Sequence, residues 1–212
     1  TFGFDSSNDC FAQNVRQENG FPVFDAVLYD ERIQNIKLSV LGTHNILNAL
    51  ASICCAKNYG IENDAVISGL QKFKGADRRF QIVKTVNGAQ IADDYAHHPT
   101  EIEATISAAK AAGYKKICVI FQPHTYTRTK LLSDRFISSL SKADEVILTD
   151  IFSAREINTI GASVMDITAG IKGARYISSK EDIAKFIKDS AKPNEVYILM
   201  GAGDINKTAE LL

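Results

Sequence analysis

The chain has 212 residues, 45% of them hydrophobic and 23% charged, with a formal net charge of −1. That size and balance fit a globular protein of one large domain or two small ones, with enough apolar material for a sizeable core. The small net charge and the absence of a long Lys/Arg run provide no field for a nucleic-acid backbone, and apolar stretches such as Ile117 to Phe121 are far too short to span a bilayer, so neither is expected as a partner.

The first forty residues read as β. Ile36, Leu38 and Val40 alternate with polar neighbours, and Val23 to Tyr29 has similar character. The period then changes: Leu47, Leu50, Ile53 and Cys54 predict a helix over residues 45–59, stopped by Gly60, and a second helix follows over 63–72. Phe80 to Val86, Asn87-Gly88 and Ala89 to Ala92 predict a hairpin, because Asn-Gly supplies the two positive-φ positions of a type I′ turn. We place a domain boundary at this hairpin, giving residues 1–89 and 90–212. Beyond Asp94 the pattern alternates strand and helix: helix to Ala112 opening at Pro99, strand 116–121, helix 129–140, strand 145–150, helix 163–171, strand 175–177, helix 180–190 and strand 195–200. Continuous apolar strands of this kind belong to a parallel sheet covered on both faces, so the fold class is α/β with a doubly wound, Rossmann-like second half. Cys10, Cys54, Cys55 and Cys118 lack C-x-x-C spacing; Cys54 and Cys55 adjoin on an apolar helical face and Cys118 lies in a buried-type strand, so they read as core thiols of a reducing compartment. With no basic segment leading into an apolar run near Thr1, the expected location is cytoplasmic.

All four histidines fall in short polar clusters bounded by apolar periodic sequence: Gly42 to Asn48, Asp93 to Glu101, and Phe121 to Arg128. The second and third clusters each leave a strand and enter a helix, one α/β unit apart, so both emerge at the carboxyl edge of a right-handed sheet and can line one crevice. Arg128 offers a planar fork for a carboxylate or phosphate, His97 or His124 can hold or move a proton near neutral pH, and Asp94 can accept hydrogen bonds from hydroxyls. Such junction residues also cap helices without binding anything. Asp93, Asp94, His97, His98 and His124 are all competent metal ligands, yet neighbouring histidines diverge and no H-x-H or H-E-x-x-H spacing is present; no metal site is assigned. Gly201-Ala202-Gly203-Asp204 follows a strand but lacks the third glycine of a dinucleotide fingerprint, Asn206 standing in its place.

Five ordered motifs spread over the whole chain resemble the Mur ligases of peptidoglycan synthesis: Gly-Thr-His-Asn-x-x-Asn-Ala at 42 to 49, Gly-Ala-Asp-Arg-Arg-Phe at 75 to 80, Asp-Asp-Tyr-Ala-His-His-Pro-Thr-Glu-Ile at 93 to 102, Phe-Gln-Pro-His-x-Tyr-x-Arg at 121 to 128, and Gly-Ala-Gly-Asp at 201 to 204. Tyr95 and the His124-x-Tyr126-x-Arg128 pattern point within that family to the member acting on L-alanine. The resemblance implies ATP-dependent activation of the UDP-N-acetylmuramate carboxylate as an acyl phosphate, followed by attack of the alanine amine. It implies that His44, Asn45 and Asn48 hold the adenine, Arg79 the ribose-phosphate side and Asp94 the ribose hydroxyls. Tyr95, His97, His124 and Arg128 would surround the alanine, with His97 and His124 as the catalytic pair; Thr125 stands where some family members carry Arg. No G-x-x-x-x-G-K-[ST] occurs, so the cradle for the terminal phosphates and the Mg²⁺ ligands are expected in sequence preceding Thr1. Residues 1–89 would then be the remainder of a central ATP-binding domain, residues 90–212 the amino-acid-binding domain, and the chain alone would not catalyse. Two other readings are a free-standing adenine-nucleotide-binding module and the related murein-recycling peptide ligase. No sequence feature fixes an oligomeric state.

Overall fold

The computed structural model describes residues 1–212, in two compact units: residues 1–75 with 111–113, and residues 76–110 with 114–212. In the first unit β1 (Phe2–Gly3), β2 (Cys10–Glu18), β3 (Phe21–Leu28) and β4 (Glu31–Lys37) form one sheet in that order, antiparallel except for β1 beside β2. Pairing slips in β2 between Gln13 and Arg16 and in β3 between Phe24 and Ala26. Both irregularities converge on buried Asp25, whose carboxylate accepts from Asn14 Nδ2 (2.8 Å), Arg32 Nη2 (2.6 Å) and the Asn35 N–H (2.8 Å). Burial alone would raise this acid; the three donors outweigh it and hold its pKa at about 2. Asn14 and Asn35 take positive φ, which Asn tolerates better than most residues, so one acid pins two bulges. Helices α1 (His44–Asn58) and α2 (Asn63–Lys72) cover the sheet, with Ile46, Ala49, Leu50 and Ile53 meeting Phe24, Ile33 and Ile36. Cys10 is buried and Cys54 half-buried, but Cys55 is exposed, against the reading of all four cysteines as core thiols. Adjacent helical residues point about 100° apart, so only one of the pair can face the apolar stripe.

The second unit is a six-stranded sheet. β6 (Ala89–Asp94), β7 (Lys116–Phe121), β8 (Glu145–Leu148), β9 (Arg175–Tyr176) and β10 (Glu195–Met200) run parallel, β5 (Gln81–Val86) is an antiparallel edge, and the order is β5-β6-β10-β7-β8-β9. The connecting helices are α3 (Pro99–Ala111), α4 (Tyr126–Leu131), α5 (Ser133–Leu140), α6 (Val164–Gly170) and α7 (Lys180–Ser190), and a 3-10 helix spans Ile205–Leu211. Alternate strand residues feed two cores: Ile117, Val119, Phe121 and Ile198 pack under α3, α5 and α6, whereas Cys118, Ile120, Tyr197 and Leu199 pack under α7 and the 3-10 helix. The sheet is therefore doubly wound, as its continuous apolar strands predict.

Three expectations shift. The division falls after Gly75 rather than at residue 89, because Asn87 and Gly88, both at positive φ, fold β5 back onto β6 and draw it into the second sheet. The single helix expected over 129–140 starts at Tyr126 and breaks at Leu132 (φ −110°, ψ 15°). The strand expected to reach Asp150 ends at Leu148, releasing the next residues to the site below.

Candidate functional site

The carboxyl ends of β6, β10 and β7 lie side by side, tied by Gly201 N–H to Asp94 O and Gln122 N–H to Met200 O, both 2.9 Å. β6 leads to β7 over one face of the sheet while β10 arrives between them from the other, and this switch in winding opens a crevice at the strand ends. Gln122 is its keystone: Oε1 accepts from the N–H groups of Asp204 (2.8 Å) and Ile205 (3.0 Å), and Nε2 donates to Asp204 Oδ1 (3.0 Å), whose other oxygen takes Lys180 at 3.0 Å. The loop after β10 approaches so closely that a Cβ on Gly203 would fall 2.3 Å from Gln122 Oε1 and 2.6 Å from Phe152 Cγ. Arg78, just before β5, closes the same edge: Nη2 donates to Gly201 O (2.7 Å), Nε to Asp93 Oδ2 (3.2 Å), and the guanidinium lies 4.8 Å from the Tyr95 ring centroid.

Asp94 is 3% exposed, and its carboxylate accepts from Ala96 N–H (2.7 Å), Phe80 N–H (2.9 Å) and Thr105 Oγ1 (3.1 Å). Burial pushes its pKa up against the pull of those donors. Three of roughly four acceptor positions are thus spent inside the protein. Within the protein, Asp94 organises the start of α3 and the turn before β5, and one acceptor position is left for the ribose hydroxyl the sequence leads one to expect there.

Tyr95, His97, His124 and Arg128 come together above it. His97 lies 5.4 Å from Tyr95, edge-on, and 6.0 Å from His124 between ring centroids. Its Nδ1 sits 3.0 Å from Tyr95 O and 3.5 Å from Glu101 Oε2. Glu101 caps α3 by accepting from the N–H groups of His97 (3.0 Å) and His98 (3.2 Å), and pairs with Arg79 at 3.6 Å. Burial works to raise Glu101, yet these partners keep its pKa below the usual carboxylate value. Arg79, exposed, lies 5.9 Å from the Tyr95 ring centroid. His124 stacks on Phe152 at 5.6 Å and 19°. Burial, reinforced by the charges of Arg128 and His97, holds its pKa below 6.5, so the imidazole is neutral at neutral pH. His124 Nδ1 and Arg128 Nη1 are buried and make no hydrogen bond within the protein. Between them Thr125 adopts φ 68°, ψ 145°, a strained conformation for a β-branched residue. No group of three or more His, Cys, Asp or Glu could hold a metal ion.

In the first unit His44, Asn45 and Asn48 open α1. Asn45 Nδ2 turns back onto Leu41 O (2.7 Å) and lies 3.3 Å from His44 Nε2, while Asn48 Nδ2 donates to Asn45 Oδ1 at 3.0 Å. His44 and Asn48 are exposed and Asn45 half-buried.

The model of the family "Mur ligase, glutamate ligase domain" matches residues 78–203, more than half of the chain. The chain belongs to the Mur ligase family. It is 43% identical over 99% of its length to the UDP-N-acetylmuramate--L-alanine ligase of Agathobacter rectalis and 42% identical over its whole length to that of Acetivibrio thermocellus, covering 47% and 46% of those proteins. The crystal structure of UDP-N-acetylmuramate-alanine ligase from Thermotoga maritima superposes with a TM-score of 0.82 at 28% identity, covering 99% of this chain and 46% of that one. The chain thus spans about half the length of the Mur ligases it matches. Three contributors to this Mur ligase crevice escape sequence reasoning: Arg78, Gln122 and Phe152. For the first two, the Arg-Arg pair and the Gly-x-Gly pair at 201 and 203 carried the only sequence signal, since a glycine kept free of Cβ implies something close against it.

Proposed function

We propose that this chain supplies the amino-acid pocket and the adenine-recognition motif of an ATP-dependent ligase that joins L-alanine to the carboxylate of UDP-N-acetylmuramate, in the cytoplasm. The observation that carries this reading is the pair of buried, unpartnered groups, Arg128 Nη1 and His124 Nδ1, beside Tyr95 and His97. Unmet buried hydrogen-bonding capacity is costly and calls for a ligand that satisfies it. A guanidinium matches an amino-acid carboxylate, and a neutral imidazole accepts from an amine. The sequence similarity to L-alanine ligases narrows the amino acid.

ATP supplies the phosphoryl group that activates the muramate carboxylate. This chain's residues do the rest of the work assigned here: Arg128 holds the alanine carboxylate, and His97 and His124 orient the amine and take its proton as it attacks. The exposed amide of Asn48, with His44 and Asn45, can present donors and acceptors to an adenine edge, and exposed Arg79 suits the ribose-phosphate side. The chain offers no acidic cage for Mg²⁺, which is assigned to the nucleotide's phosphates and to groups outside these 212 residues.

The test is phosphate release by a ligase that joins this chain to a P-loop-bearing segment, supplied with ATP, UDP-N-acetylmuramate and single amino acids. L-alanine should be preferred. Arg128→Ala should raise KM for alanine about tenfold to hundredfold, the loss of one charge-assisted hydrogen bond of about 1.5–3 kcal/mol, with KM for ATP unchanged. Preference for a tripeptide over alanine would transfer the reading to the murein-recycling ligase, and tight ATP binding by the 212-residue chain without ligation would favour a nucleotide-binding module.

A further inference from the structure

We propose that Phe152, on the loop after β8, is a positioning residue for His124: its ring fixes the plane of the imidazole and excludes water from one face. The two rings stack at 5.6 Å and 19°. The backbone enforces the pairing, for His124 and Phe152 form an isolated parallel bridge in which Thr125 N–H donates to Phe152 O (2.9 Å) and Phe152 N–H to Pro123 O (2.8 Å). Gly203 makes room for the ring, since a Cβ there would sit 2.6 Å from Phe152 Cγ. A large aromatic side chain normally contributes to a core, yet Phe152 belongs to none of the three apolar clusters, whereas its neighbour Ile151 packs against one. Its packing is directed at a histidine. The charged and titratable groups that face His124 are Arg128 from α4, His97 from the loop after β6 and Glu156 from the Phe152 loop; the first two disfavour a proton on the imidazole and the third favours one. Stacking adds the desolvation that keeps this imidazole neutral and its unpartnered Nδ1 aimed consistently.

The functional half of this inference rests on the amino-acid reading of the crevice, so the test separates the two. In the 212-residue chain, histidine ring resonances are followed by NMR across pH for the wild type, Phe152→Leu and Phe152→Tyr. The wild-type His124 Cε1 proton should be displaced upfield by the aromatic face and titrate below 6.5. Phe152→Tyr should preserve both properties, whereas Phe152→Leu should abolish the upfield displacement and move the midpoint toward 6.5. A lowered melting temperature with an unmoved His124 resonance and midpoint would overturn the proposal, because it would make Phe152 a packing residue only. L-alanine is then titrated into each protein. A loss of about tenfold in affinity for Phe152→Leu and none for Phe152→Tyr, within the range of one aromatic pair, supports positioning of the ligand-binding ring. Should alanine perturb neither His97 nor His124 in the wild type while the ring shift responds to Phe152 as expected, positioning stands and the amino-acid reading falls.

Discussion

The two motifs that face ligand in this reading are built in opposite ways. At the start of α1, the side-chain amides of Asn45 and Asn48 bond to partners within four residues, Asn45 to Leu41 O and Asn48 to Asn45 Oδ1. In the second unit the pocket depends on contacts that span the sequence: Gln122 to Asp204, Arg78 to Gly201, Phe80 N–H to Asp94. The first motif comes with its helix, whereas the second exists only when the sheet is complete. Stability and binding should therefore be separable at the first and entangled at the second.

The sharpest test of that contrast is Asp94→Ala. It would strand the N–H groups of Phe80 and Ala96 and the Thr105 hydroxyl, and a cost of about 3 kcal/mol or more in denaturant unfolding is expected, at about 1–3 kcal/mol for each buried neutral donor left unsatisfied. A loss below about 1 kcal/mol would mean that this acid is free to serve a ligand after all. Next in size is Gly203→Ala, which forces a methyl against Gln122 and Phe152 and should cost about 1–3 kcal/mol by overpacking. A smaller effect comes from pH. His124 is harder to protonate folded than unfolded, so as pH falls below 6.5 the unfolded chain takes up its proton first and stability drops until the folded form is protonated too; above 6.5 this group is silent. Comparing unfolding free energies of wild type and His124→Gln at about pH 7.5 and about pH 5.5 should show the balance moving toward the variant at the lower pH. The smallest effect belongs to the first unit: Asn48→Ala, on an exposed helical position, should leave stability within about 0.5 kcal/mol while weakening nucleotide binding in the assembled ligase. A large destabilisation there would erase the contrast.

Elements whose cause is local were legible in the chain itself. The strand Lys116–Phe121, the helix Lys180–Ser190 and the strand Glu195–Met200 lie where their apolar patterns end, and Asn87-Gly88 marks its hairpin. Asn19-Gly20 gives the same signal between β2 and β3, but the bulge at Asn14 breaks the alternation that would have framed it. The break at Leu132 carries no Gly or Pro, so periodicity ran through it. In the site, the histidines announced themselves by clustering. The inward bonds of Asp94 were not legible, because an acid at a strand end looks the same whether its hydrogen bonds run outward to a ligand or inward to backbone N–H groups. Arg78, Gln122 and Phe152 act through partners far along the sequence or across loops, which no local pattern encodes.

One consequence of the strand order concerns synthesis rather than chemistry. β10 is the last strand of its sheet to be made, yet all six of its residues are buried between β6 and β7. A nascent chain that has already emerged as far as α7 holds every histidine and the arginine fork but has no floor to the pocket, and its two central strands present unpaired edges to their surroundings. At a translation rate of about 5–20 residues per second that vulnerable interval is brief, but it ties ligand competence to completion: a product truncated before Glu195 would be a target for chaperones and proteases rather than a weak binder of amino acid.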